Sequence, residues 1–104
     1  MPTYVLMTKL SPAALHERRA SGAAWKKKVE ALCPGLRWNA HFALLGPYDF
    51  MDIYEVDDPA KAFRVSLLSR ELGAVAAESW PALSYDTYLP MAEDVDNAAR
   101  RAAG

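Results

Sequence analysis

Residues 36 to 45 and 50 to 56 read as two strands closed on each other through Leu-Gly-Pro-Tyr-Asp-Phe, Leu45 to Phe50, and this hairpin constrains the fold more than any other stretch. A helix-forming segment flanks it on each side. Ser11 supplies an N-cap and Pro12 suits the first helical position of the earlier one. Leu15, Gly22, Trp25, Val29 and Leu32 recur along one helical face, and Pro34-Gly35 ends the segment. Ser21-Gly22 weakens its middle, since a glycine there costs ~1 kcal/mol relative to alanine. Asp58-Pro59 repeats the cap-plus-proline start for a second helix over residues 59 to 72, which Gly73 closes. Residues 3 to 9 and 74 to 84 supply two further strands, and Pro81 implies that the last lies at an edge or carries a bulge.

The order βαββαβ predicts an α+β, ferredoxin-like fold: a four-stranded antiparallel sheet with two helices on one face. Residues 1–84 make this domain, and residues 85–104 a C-terminal extension. In the extension Glu93, Asp94 and Asp96 precede Arg100 and Arg101, the charge order that a helix dipole favours, and a short helix after Pro90 is expected there.

Composition limits what such a domain can do. A hydrophobic fraction of 52% over 104 residues suits a single folded core, and 24% charged residues suit a solvated surface. No apolar run approaches the ~18 residues of a membrane span and the start does not read as a signal peptide, so a cytoplasmic location without membrane association is expected. Cys33 is the single cysteine, which leaves no internal disulfide and no cysteine-based zinc site, and suits a small apolar role at a helix end. Arg18-Arg19, Lys26-Lys27-Lys28 and Arg100-Arg101 lie among acids in a chain of net charge −1. They read as solvated helix surface rather than a phosphate-binding face, and no nucleic-acid partner is expected.

Strand parity suggests where chemistry could sit. If Gly46 to Asp49 form the loop, Leu45 faces Phe50, Ala43 faces Asp52 and His41 faces Tyr54. Alternation then puts Asn39, His41, Ala43, Leu45, Phe50, Asp52, Tyr54 and Val56 on one face. Trp38, Ala40, Phe42, Leu44, Met51 and Ile53 fall on the other, nearly pure hydrophobic set, which suits packing under the helices. The mixed face is then left needing another partner, because burying each large apolar side chain is worth ~1.5–3 kcal/mol. Sheet-to-sheet association of two chains supplies one, so a homodimer or higher homo-oligomer is expected.

The hairpin and its neighbours resemble the GYD domain family. Gly46, Tyr48 and Asp49 sit on that family's Gly-x-Tyr-Asp element, and Met1 to Leu10 looks like its first strand. Glu55 with Asp57-Asp58 resembles the acidic exit from the following strand, and Ala77-Glu78-Ser79 lies where members carry a Thr-Glu-Thr-like segment. The ordered set covers residues 1 to 84. The resemblance implies a dimeric α+β barrel able to trap a small cavity between its sheets, in a family without settled activity.

In that cavity His41, Asp52 and Tyr54 would act as base, orienting carboxylate and hydrogen-bond donor for a small carbonyl or aromatic compound. The plainer alternative is a buried His41–Asp52 polar pair supported by Tyr54. Asn39, Phe50, Glu78 and Trp80 are candidate ligand contacts, Glu78 equally reading as a surface charge on an edge strand. Gly46, Tyr48 and Asp49 read as shapers of the hairpin, with Asp49 an acceptor for backbone groups and Gly46 a position where a side chain is poorly tolerated. His16 reads as solvated, no metal site has ligands at workable spacing, and no phosphate loop, nucleophile elbow or dinucleotide fingerprint calls for a cofactor. The expected function is a small-molecule-binding dimeric α+β barrel. The alternatives are a cofactor-independent isomerase, cyclase or monooxygenase, and a purely structural interaction protein.

Overall fold

In the computed structural model the elements run β1 (Thr3–Leu10), α1 (Pro12–His16), α2 (Arg18–Leu32), β2 (Arg37–Ala43), β3 (Phe50–Glu55), α3 (Pro59–Glu71), β4 (Ala74–Ala82) and α4 (Tyr85–Ala103). The structure describes the backbone of residues 1–104 and all side chains except those of residues 18–21, so Arg18, Arg19 and Ser21 lie outside the described side chains. The strands form one antiparallel sheet in the order β2-β3-β1-β4. This is the ferredoxin-like α+β plan, with β4, which carries Pro81, at an edge. Among the described residues no helix is long and apolar enough to cross a membrane.

The helix starts are built as their sequences dictate. Ser11 Oγ accepts from the Ala14 N–H at 3.1 Å and Asp58 Oδ1 from the Ala60 N–H at 2.9 Å, each ahead of a proline in the first turn. Gly73 follows α3 at φ 111°, and a Cβ there would lie 2.7 Å from Ala14 Cβ. Glycine thus turns the chain and lets α1 approach closely.

Two helical expectations are corrected. The first helix is broken at Glu17 into α1 and α2. The C-terminal helix starts at Tyr85 rather than after Pro90, because the Ser84 hydroxyl caps it by accepting from the Thr87 N–H at 3.2 Å, and Pro90 lies inside it. Nothing in α4 is buried.

The hairpin register differs from the expectation by two residues. Phe50 pairs with Ala43 and Asp52 with His41, so the loop spans residues 44 to 49. An even shift keeps His41, Phe50 and Asp52 on one face. A bulge at Asn39 then breaks the alternation, so that Trp38 pairs with Tyr54 and joins their face.

The larger correction concerns which face the helices cover. It is the mixed face that lies beneath them. Tyr4, Leu6, Tyr54 and Val56 from the sheet side pack with Val29 and Cys33 of the α2 end and Val65 of α3 in the core. The purer set of Val5, Met7, Met51 and Ile53 lies on the other face with no layer above it among the described residues. It is half-buried, while Phe42 and Trp80 on the same face are 51% and 44% exposed. Both faces of β3 carry enough apolar surface to be buried, so period-two alternation separates them without saying which points inward. Leu32, expected on the buried helix face, is also exposed.

Candidate functional site

Between the sheet and the helices opens a cleft of about 360 Å³. Its floor is Leu10 and Phe50, with Trp38 at one side; α2 contributes Gly22, Trp25 and Lys26, and Ser69 and Leu72 close it from the α3 side. The α2 contribution follows from spacing, since residues i, i+3 and i+4 share a helix face. A side chain added at Gly22 would meet nothing within 4 Å, so the glycine leaves room rather than relieving a clash.

His41 and Asp52 sit directly opposite on β2 and β3 and line this cleft, with His41 Nδ1 bonded to Asp52 Oδ1. The Asp52 side chain is 4% exposed and that of His41 61%. The pair therefore puts a buried carboxylate behind an imidazole at the cleft mouth. The His41 ring stacks on Phe50 at 5.6 Å between centroids, which holds its plane. Burial pushes the Asp52 carboxyl above its ordinary value, opposed by the positive charges of His41 and Lys26. In the neutral tautomer that donates Nδ1–H to Asp52, Nε2 of His41 carries a lone pair.

Tyr54 does not join them. Its hydroxyl lies 2.8 Å from Ser79 Oγ and 3.5 Å from the Ala62 carbonyl oxygen, in the core beneath α3. Burial pushes its phenol up to about 12. The expected trio is thus a pair plus a core tyrosine, and the pair faces the helices rather than the space between two sheets.

The expected ligand contacts also divide. Phe50 lines the cleft. Asn39 is the exposed bulge residue, whereas Glu78 and Trp80 lie on the open face. There the Tyr48 hydroxyl donates to Glu78 Oε2 at 2.5 Å and Trp80 Nε1 donates to Glu78 Oε1 at 3.1 Å. These bonds hold the Glu78 carboxyl below its ordinary range, the one from Tyr48 contributing most.

Asp49 is a backbone acceptor, though for a distant group: its Oδ2 takes the Leu10 N–H at 2.8 Å, where β1 slips register against β4. Tyr48 and Asp49 accordingly tie the hairpin to β4 and β1. Gly46 has no left-handed φ, and a Cβ there would meet nothing within 4 Å, which corrects the expectation that a side chain is poorly tolerated there.

Trp25, Lys26, Trp38, Thr8 and Ser69 were not expected at a site. The helical spacing of Gly22, Trp25 and Lys26 was the available signal, whereas the bulge that turns Trp38 inward left none. Among the described residues two buried side-chain polar atoms have no hydrogen-bond partner, Thr8 Oγ1 and Trp38 Nε1, and both residues line the cleft. No group of three or more His, Cys, Asp or Glu that could hold a metal occurs among the described residues.

The sequence profile of the GYD domain matches residues 4–92. Comparison with curated proteins gives no match. Two solved structures share the fold. TTHA0845 from Thermus thermophilus is 17% identical, with 81% of this chain and 95% of that chain covered at a TM-score of 0.57. A protein designated FFRP-DM1 is 16% identical, with 80% and 100% covered at 0.53. At these identities the likeness is one of fold.

Proposed function

The chain belongs to the GYD domain family, and we propose that it is a small-molecule-binding member whose ligand occupies the cleft between α2 and the sheet, in a homodimer closed through the sheet's open face. The cleft carries this reading: a largely apolar enclosure of about 360 Å³ with a carboxylate–imidazole pair directed into it. Ligand sites are commonly ~300–1,000 Å³, with few polar groups on apolar walls. The dimer is supported by Val5, Met7, Met51 and Ile53, half-buried with no layer above them among the described residues. Burial against a second sheet stabilises each by ~1.5–3 kcal/mol at most.

A second reading, a cofactor-independent enzyme, is favoured by the same pair. With Nδ1–H held by Asp52, Nε2 of His41 is available to take a proton from carbon beside a carbonyl. Tyr54 supplies no donor to that reaction, since its hydroxyl is engaged with Ser79.

Gly22→Leu tests the site. It fills the cleft while improving helix propensity by up to ~1 kcal/mol. Equilibrium dialysis against a panel of aromatic carbonyl compounds is expected to find saturable binding of one ligand per chain, abolished in Gly22→Leu while the melting temperature holds or rises. Binding that persists in the filled variant, or no binding by any compound, would contradict the reading.

A further inference from the structure

The chain has three tryptophans, and their indole N–H groups are not treated alike. Trp25 Nε1 donates to Ser69 Oγ at 2.8 Å, and Trp80 Nε1 donates to Glu78. Trp38 Nε1 is buried and has no partner among the described residues. Its position is fixed by structure: the Asn39 bulge turns it inward, and its ring lies 5.2 Å from that of Trp25 and 5.8 Å from that of Tyr54. Buried polar groups in folded proteins almost always find a partner, and leaving a donor unmet is costly. An indole N–H only donates, so whatever meets it must present an acceptor. Thr8 Oγ1, the other unpartnered atom, can donate or accept and so defines the ligand less sharply.

The charge around the cleft narrows the choice. Lys26 lines it next to Trp25 and has no ion pair among the described residues. Asp52, the carboxylate in the cleft, is already taken by His41. A lysine outside any ion pair and an unmet donor, both on residues lining one cleft, favour a negatively charged acceptor over a neutral one. The walls presented by Trp25, Phe50 and Leu72 are apolar and partly aromatic, which suits a flat body.

Building on the small-molecule reading above, we propose that the cleft binds a flat aromatic carboxylate. One carboxylate oxygen accepts from Trp38 Nε1–H on the Lys26 side, and the ring extends along the sheet toward Leu10 and Leu72. Trp38 is the residue that selects the headgroup, and Lys26 adds charge without directional demand.

Calorimetry at low salt with two probes of similar shape, 2-naphthoate and 2-naphthylmethylammonium, tests this. The carboxylate is expected to bind about tenfold or more tighter than the ammonium. Trp38→Phe keeps a ring and removes the N–H, and is expected to weaken 2-naphthoate about tenfold while leaving the weak ammonium binding unchanged. Lys26→Met keeps the length without the charge, is exposed enough not to disturb folding, and is expected to weaken 2-naphthoate by about threefold and flatten its salt dependence. Circular dichroism melts check both variants. If Trp38→Phe does not fold, the probe discrimination in the natural chain and the Lys26→Met result decide the matter. Equal affinity for both probes, or 2-naphthoate binding untouched by either variant, would overturn the headgroup assignment while leaving the cleft as a ligand site. Absence of 2-naphthoate binding would overturn it too, and if Gly22→Leu also changed nothing for any compound, the cleft reading would fall with it.

Discussion

Glu78 on the open face and Asp52 under the helices are both hydrogen-bonded carboxylates, and the two are held in opposite ways. On the open face Glu78 accepts from Tyr48 and Trp80, and its carboxyl is drawn below the ordinary value. Under the helices Asp52 is buried behind His41, and its carboxyl is pushed above the ordinary value. Glu78 is therefore an anchor: its charged form favours the fold, and it ties the Gly-Pro-Tyr-Asp loop to β4. Asp52 favours the fold less in its charged form, because burial outweighs its bond to His41. Titratable groups kept at such a cost beside a cleft are where function concentrates. Tyr48 and Asp49 of the family's motif thus organise the hairpin, whereas His41 and Asp52 line the cleft proposed above as the ligand site.

The sharpest way to break this comparison uses neighbours on β1 that point to opposite faces. Leu6 is fully buried under the helices, whereas Val5 is half-buried on the open face. Leu6→Asp places an unpaired charge in the core and is expected to cost more than about 4 kcal/mol, enough to unfold the chain. Val5→Asp is expected to leave a folded monomer, with the dimer lost, when mass is read by light scattering beside a circular dichroism melt. Equal unfolding by both would mean that the open face belongs to the core of the single chain. A natural chain that is monomeric at micromolar concentration would remove the dimer.

A smaller effect sharpens the same contrast through pH. Asp52 has a folded pKa above its ordinary 3.8, so the native state binds that proton more tightly. Its contribution to stability is present below the unfolded value and is lost as pH rises through the folded one. Glu78 has a folded pKa below its ordinary 4.5. Its contribution is present above that value and is lost as pH falls through the folded one. Asp52→Asn is accordingly expected to raise the melting temperature at about pH 7 and to converge on the natural chain near pH 3. Glu78→Gln is expected to lower it at about pH 7, with the difference shrinking toward acid. Shifts of the same sign at neutral pH would erase the distinction between the two carboxylates.

What could be read from the chain divides along physical lines. Ser11-Pro12, Asp58-Pro59 and Gly73 announce helix boundaries because caps, proline and left-handed turns are local, and Pro81 marks an edge strand for the same reason. His41 and Asp52 were legible on one face because the loop exceeds the expected length by two residues, which preserves parity. Trp38 was not, since the bulge at Asn39 adds one residue and reverses parity with nothing in Arg-Trp-Asn-Ala to signal it. The helices cover the face opposite to the one expected. Val5, Met51 and Ile53 are as apolar as Leu6 and Val56, so hydrophobicity alone cannot orient such a sheet. Tyr54 was separated from His41 by the register itself, which moves it opposite Trp38 and over Ser79.

The central claim is that the ligand lies beneath the helices rather than on the open face, and the three indole N–H groups report on both places at once. In a proton–nitrogen correlation spectrum titrated with 2-naphthoate, the Trp38 indole resonance is expected to move most, as its unmet N–H gains an acceptor. Trp25, packed against it, should follow, while Trp80, bonded to Glu78 across the sheet, should hold still. Movement of the Trp80 signal with Trp38 and Trp25 unchanged would put the ligand on the open face and contradict the account.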